Sequence, residues 1–227
     1  MLTAIIVAAG GSQRMGFDKT FALLNGMPAI AHSLCAFEQC NVVDDVIVVG
    51  RADRLREIEE IATQLSIKKI SRITAGGNER QDSVRAGLAH LSASAQFVAV
   101  HDAARPLITP EQIAHIFSLA QIHLAAAAAK PVTDTLKRAD ENCFVSDSVE
   151  RLGVYAMATP QIFSRKLIID AYDAVVAKGI SVTDDVSAVQ LLGQKVVLVP
   201  TSGWNFKITY PGDLALAELL LAQRDQS

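Results

Sequence analysis

The chain has 227 residues, half of them apolar and a fifth charged, with a formal net charge of −3 and a pI near 5.9. That length fits one domain, residues 1–227, with a sizeable core, and the composition excludes a disordered or fibrous protein. The mildly acidic balance excludes a broad basic face for nucleic acid or anionic lipid, so any anion must be met locally.

The first apolar run, TAIIVAA, has strand length and leads into AAGGSQRMGFDK, Ala8 to Lys19. It is too short to span a membrane, and no basic residue precedes it as a secretory leader requires, so a cytoplasmic location and no membrane partner are expected. Glycines directly after a strand let backbone N–H groups approach an anion. The loop completes neither familiar fingerprint: Phe17-Asp18 stands where a P-loop needs Lys-Ser/Thr, and GxGxxG is absent. It reads either as a phosphate cradle served by Arg14 and Lys19, or as a βα turn with two solvated cations.

Pro28 opens PAIAHSLCAF as a first-turn proline, DDVIVVG is the next strand, Asp53 is placed to cap DRLREIEEIATQL, and KKISRIT follows as a strand. Cys35, Cys40 and Cys143 form an odd set with no CxxC pair and no nearby histidine cluster, which points to reduced, buried thiols and not to zinc or disulfides. GGNERQDSV, Gly76 to Val84, turns into a helix with Asn78 or Glu79 near its start and Ser83 in its first turns. Such a turn either presents polar groups to the edge of a base or is a plain loop with an N-cap.

FVAVHDAARP delivers His101, Asp102 and Arg105 to the carboxyl end of one buried strand, where ligands of open α/β sheets bind. Asp102 there is a natural Mg²⁺ ligand, since that ion favours one or two carboxylates with phosphate oxygens and water. A lone aspartate after a strand also serves as a loop cap. His101 is expected to pack or hydrogen-bond. Thr109-Pro110-Glu111-Gln112 has capping-box spacing before IAHIFSLA, and the five alanines at 125–129 read as a strand.

From about Val132 to Arg151 the rhythm breaks into VTDTLKRADENCFVSDSVER, with strand-like alternation around a polar turn, Ala139 to Asn142. This is a protruding β-hairpin arm or, on the same signals, an ordinary surface hairpin. Gly179 and Gly193 sit where helices stop, TDDVSAV puts Thr183 at a helix start, KVVLVP is a further strand, and GWNFKIT places Lys207 on a late strand. Fully apolar strands alternating with amphipathic helices imply a doubly wound, mostly parallel α/β sheet.

The segments AAGGSQRMGFDK, GGNERQDSVRAGL, VHDAARP, PVTDTLKR, ATPQIF, TDDVSAV and FKITYPGDLALAE occur in one consistent order. Together they resemble the cytidylyltransferases that make 4-diphosphocytidyl-2-C-methyl-D-erythritol in non-mevalonate isoprenoid synthesis, from about Thr3 to Glu218. The resemblance implies a Rossmann-like nucleotidyltransferase fold, CTP and a polyol phosphate as substrates, and Mg²⁺ or another divalent cation. It also implies that Ala8, Ala9, Gly10 and Gly11 form the phosphate loop, with Arg14 and Lys19 as cations at the α-phosphorus. On the same footing Gly77, Asn78 and Ser83 read cytosine, Asp102 faces the metal, and Lys207 is a further cation at the reaction centre. Arg105, Thr135, Arg151 and Thr183 match positions around the methylerythritol phosphate, with Thr135 and Arg151 reaching a neighbour's site from the arm of a homodimer.

Two positions depart from the family's common pattern. Asp18-Lys19-Thr20 replaces Pro-Lys-Gln, setting an acid beside the cation where it could weaken the local positive field, and Asn78 replaces a frequent aspartate. The implied reaction needs no general base, because a phosphomonoester with a second pKa of about 6 is mostly ionised at neutral pH. Two rival readings stand beside it: another sugar- or alditol-phosphate cytidylyltransferase, such as one using ribitol 5-phosphate, and a non-catalytic nucleotide-binding module.

Overall fold

The computed structural model describes residues 1–11, 16–201 and 204–224. In chain order the elements are β1 (Leu2–Ala8), a short pair β2 (Leu23–Leu24) and β3 (Met27–Pro28), α1 (Ala29–Gln39), β4 (Asp45–Gly50), α2 (Leu55–Gln64), β5 (Ile70–Ala75) and α3 (Arg80–Leu88). There follow β6 (Phe97–Asp102), α4 (Pro110–His123), β7 (Ala125–Pro131), β8 (Leu136–Ala139), β9 (Val145–Val149), β10 (Tyr155–Ser164), α5 (Arg165–Lys178), α6 (Asp185–Gln190), β11 (Val197–Pro200) and α7 (Gly212–Arg224).

Seven strands form one sheet in the order β11-β7-β10-β6-β1-β4-β5. β1 pairs in parallel with β4 and with β6, β4 with β5 and β11 with β7, while β10 runs antiparallel between β6 and β7. The chain winds outward from β1 through β4 to β5 and then returns to place β6 on the other side of β1. The resulting reversal opens a crevice at the carboxyl ends of these strands, where ligands of such sheets bind. Its register puts Val7 opposite Asp102, so the glycine loop after β1 and the aspartate ending β6 emerge side by side.

Burial on both faces explains why β1 and β4 are apolar along their length. Ile6 and Val48 pack with Ile30, Leu34 and Phe37 of α1, whereas their neighbours Ile5 and Val49 pack on the opposite face with Val84 of α3. The alanines of β7 are fully buried, small enough for a strand with close neighbours above and below. A third cluster joins Leu24, Leu107 and Ile208 to Ala217 and Leu221 of α7, and so anchors the segment that carries Lys207.

Several expectations are corrected. Lys207 lies on no strand but in an irregular segment, fixed where the Ile208 N–H donates to the Ala104 carbonyl at 2.9 Å. Strand β10 went unread because Thr159, Pro160 and Gln161 interrupt its apolar pattern. Asp53 caps no helix; it sits in a 3₁₀ turn, Ala52–Arg54, paired with Arg51 at 2.6 Å. Pro28 occupies the cap position of α1 and not its first turn, and Asp184, not Thr183, caps α6 by accepting from the Ser187 N–H at 2.9 Å. Of the cysteines only Cys40 is buried; Cys35 is half-buried and Cys143 exposed. The arm is the two-stranded sheet β8–β9, outside the main sheet, with Phe144, Val145 and Leu152 largely exposed.

The capping box at α4 is present as read: the Thr109 hydroxyl accepts from the Gln112 N–H at 3.3 Å, and the Gln112 side chain accepts from the Thr109 N–H at 3.3 Å. Thr109→Ala removes one of these bonds and is expected to lower stability by about 1 kcal/mol, read as a lower urea midpoint with an unchanged slope.

Candidate active site

Two adjoining cavities open at the carboxyl ends of β1 and β6. The first, about 450 Å³, is lined by Ala8, Ala9, Gly10 and Gly11, by Lys19, and by Gly77, Asn78 and Ser83 from the other side. The second, about 350 Å³, is lined by Arg105, Thr159, Gln161 and Thr183. Arg80, Asp102 and Lys207 line both and form the wall between them.

The first cavity is shaped by close backbone approach. A Cβ on Gly76 would come within 2.4 Å of the Ser83 hydroxyl and 2.6 Å of the Ala9 Cβ, and one on Gly77 within 2.3 Å of the Asp82 Cβ. Only glycine lets the turn before α3 pass the loop after β1 this tightly. Glu79 then caps α3 in a box with Asp82, which leaves Asn78 exposed at the cavity and Ser83 buried in its wall.

At the dividing wall, Asp102 ends β6 nearly buried. Its Oδ1 accepts from Arg80 Nε at 3.0 Å and its Oδ2 from Lys207 Nζ at 2.8 Å, with Arg105 Nε at 3.9 Å. Burial alone would raise this carboxyl, but Arg80, Lys207 and Arg105 outweigh it and hold it far below the usual carboxylate range. Arg80 extends the network: its Nη2 donates to Asp185 Oδ2 at 2.8 Å, and the Tyr172 hydroxyl donates to Asp185 Oδ1 at 2.6 Å. Arg105 is held by the carbonyls of Asn205 and Met157, at 3.0 and 3.3 Å.

Lys19 donates to the Ile208 carbonyl at 2.8 Å, which ties the cation after the glycine loop to the residue that follows Lys207, and both lysines line the first cavity. The acid at Asp18 does not face that cation unopposed. It pairs with Arg51 at 3.3 Å and accepts from the Thr20 N–H at 3.1 Å, so its charge has a cationic partner other than Lys19. The expected weakening of the positive field is thereby offset.

The structure thus gathers Ala8, Ala9, Gly10, Gly11, Lys19, Gly77, Asn78, Ser83, Asp102, Arg105, Thr183 and Lys207 around two cavities with a common wall. Arg14 lies outside the described residues. Thr135 and Arg151 line neither cavity; they sit exposed at the base of the arm, where an Arg151 Nη1–H donates to the Thr133 carbonyl. Sequence reasoning missed Arg80, Asp185, Tyr172 and Gln161. Arg80 carried a signal, because a cation in the first turn of a helix opposes the dipole and needs a carboxylate partner.

His101 packs, as expected, against Phe37 with ring centroids 5.1 Å apart. Its Nε2 lies 3.3 Å from the Arg105 carbonyl, which can only accept, so Nδ1 is left to accept from the Thr159 hydroxyl at 3.1 Å. Thr159 in turn accepts from the Asp102 N–H at 3.0 Å, which ties the histidine to the wall.

Similarity to known proteins agrees with this geometry. The family model for 2-C-methyl-D-erythritol 4-phosphate cytidylyltransferase matches residues 2–223. A protein of that name from Halalkalibacterium halodurans is 38% identical over 226 residues, 99% of this chain and 98% of the relative. One from Dehalococcoides mccartyi is 39% identical over 219 residues, 96% and 95% of the two chains. The crystal structure of 4-diphosphocytidyl-2C-methyl-D-erythritol synthase from Anaerococcus prevotii superposes with a TM-score of 0.86 at 29% identity, covering 97% of this chain and 96% of that one. The cytidylyltransferase structure from Thermus thermophilus gives 0.80 at 31% identity over 98% and 100%.

Burial depresses the His101 pKa from 6.5 to about 3, against a smaller opposing pull from Asp102. Its contribution to stability is whole above the unfolded value of 6.5 and is lost as pH falls from there toward 3. Urea midpoints should therefore drop between pH 7 and about pH 4.5 in the wild type and change less in His101→Asn.

Proposed function

The chain belongs to the 2-C-methyl-D-erythritol 4-phosphate cytidylyltransferase family, and on that premise we propose how its residues divide the work of the reaction. The enzyme transfers a cytidylyl group from CTP to 2-C-methyl-D-erythritol 4-phosphate, giving 4-diphosphocytidyl-2-C-methyl-D-erythritol and pyrophosphate, a step of isoprenoid precursor synthesis. The observation that carries the division is the shared wall: two cavities, one for each substrate, meet at Arg80, Asp102 and Lys207.

In this reading the cytosine lies by Gly77, Asn78 and Ser83, and the triphosphate runs along the backbone from Ala8 to Gly11 toward Arg14 and Lys19. The acceptor occupies the second cavity, its phosphate met by Arg105 and Thr183. Its ionised phosphate oxygen attacks the α-phosphorus in line and pyrophosphate leaves toward the glycine loop. The nucleophile needs no deprotonation. The protein's task is therefore positioning and charge stabilisation by Lys19, Lys207 and Arg14, whose pull grows as charge spreads over the equatorial oxygens.

Asp102 is the candidate ligand for Mg²⁺. Among the described residues no three carboxylate, histidine or cysteine side chains cluster to cage a metal. Each Asp102 oxygen keeps a second lone pair beyond its bond to Arg80 or Lys207, so the donor set fits an ion that takes one carboxylate oxygen from the protein and its remaining ligands from phosphate and water. Such an ion would supply further charge neutralisation at the phosphates.

The arm completes the reading. With Phe144, Val145 and Leu152 exposed and Arg151 away from its own chain's cavities, we assign the arm to a homodimer contact that delivers Thr135 and Arg151 to the partner's acceptor cavity. A cytoplasmic location belongs to the same proposal.

Lys19→Ala and Lys207→Ala should each lower kcat by about 100- to 1,000-fold, or about 3 to 4 kcal/mol, in a pyrophosphate-release assay on folded protein. Near-wild-type turnover in either removes that residue from the reaction centre. For the arm, Arg151→Ala and Lys207→Ala proteins, each nearly inactive, are unfolded and refolded together. If Arg151 acts across the dimer, half the dimers are mixed and each holds one intact site, so roughly a quarter of wild-type activity returns; no recovery means that Arg151 serves its own chain.

A further inference from the structure

Asp185 is a fully buried carboxylate that no step above uses. It has no capping role, since Asp184 caps α6, and its backbone is fixed independently: the Asp185 and Val186 N–H groups donate to Gln161 Oε1 at 3.1 and 3.0 Å. Gln161 is itself buried on β10, so the position of Asp185 is set by the sheet. Both carboxylate oxygens are taken, one by the Tyr172 hydroxyl at 2.6 Å and one by Arg80 at 2.8 Å. Arg80 then bonds Asp102 at 3.0 Å, and Asp102 bonds Lys207 at 2.8 Å.

Burying a carboxylate and a guanidinium seldom stabilises a fold more than apolar side chains of the same volume would, so the pair calls for another use. Its geometry supplies one. The rigid guanidinium fork spans two carboxylates, and with only Asp102 to hold it, Arg80 could turn into either cavity that it lines. Asp102 would then lose its fixed partner on Oδ1, and the ammonium of Lys207 its fixed seat.

We infer that Asp185, steadied by Tyr172, is a positioning residue for the transfer: through Arg80 and Asp102 it holds the Lys207 ammonium where the two cavities meet. This rests on the assignment of Lys207 to the reacting phosphate.

The test is a double-mutant cycle on the full-length enzyme. Asp185→Asn, nearly isosteric, is made in the wild type and in Lys207→Ala, and kcat and the KM for CTP are measured by pyrophosphate release alongside thermal melts. Asp185→Asn should lower kcat about tenfold or more with the KM for CTP within about twofold, yet slow Lys207→Ala by no more than about twofold, because the group it positions is gone. Equal factors in both backgrounds, or a wild-type kcat for Asp185→Asn, overturn the inference. If Asp185→Asn does not fold, Tyr172→Phe, which removes only a hydroxyl, must give a smaller loss of kcat with the same dependence on Lys207; otherwise the inference fails. Should Lys207→Ala itself turn over at the wild-type rate, the assignment beneath falls and takes the inference with it, an outcome distinct from failure of Asp185 alone.

Discussion

One carboxylate organises this molecule's chemistry. Asp102 stands at the carboxyl end of β6, beside the end of β1, and is kept ionised in a nearly buried place by Arg80 and Lys207. A negative charge that has left water must be paired, and whatever pairs with it is held in turn. The pairing therefore fixes two cations between two cavities before any substrate arrives. Preorganised charge of this kind needs no rearrangement as the transition state forms, which is where an enzyme without a general base gains its rate.

The glycine loop and the turn before α3 solve a complementary problem, bringing backbone close to a ligand and close to each other. The 2.6 Å that a Gly76 Cβ would leave to the Ala9 Cβ shows that the two segments form one surface. Asp18 carries a similar lesson about charge: a carboxylate next to Lys19 in sequence pairs with Arg51, while Lys19 bonds the Ile208 carbonyl, so neighbours in the chain take different partners in the fold.

The parts of the fold legible in the sequence were those with one dominant local cause. Unbroken apolar runs gave β1, β4, β6 and β7, since burial on both faces leaves no room for alternation, and the Thr109 capping box and the αL turn at Gly179 mark the ends of α4 and α5. β10 was hidden because its middle residues serve the site and not the core: Thr159 bonds Asp102 and His101, and Gln161 bonds α6. Lys207 could be named from its motif, yet its surroundings depend on α7 and Ala104, distant in the chain. Arg80, Asp185 and Tyr172 were out of reach for the same reason. Each is an ordinary residue on its own helix, and only tertiary packing joins α3, α5 and α6 into one buried network.

The central claim is that bond exchange happens at the wall between the cavities. The most direct measurement is a crystal structure of the enzyme with 4-diphosphocytidyl-2-C-methyl-D-erythritol bound. The account expects the cytosine beside Gly77 and Ser83, the methylerythritol in the cavity of Arg105 and Thr183, and the diphosphate crossing at Lys207 and Asp102. A diphosphate lying elsewhere, with Lys207 still bound only to Asp102 and remote from both phosphates, would contradict it.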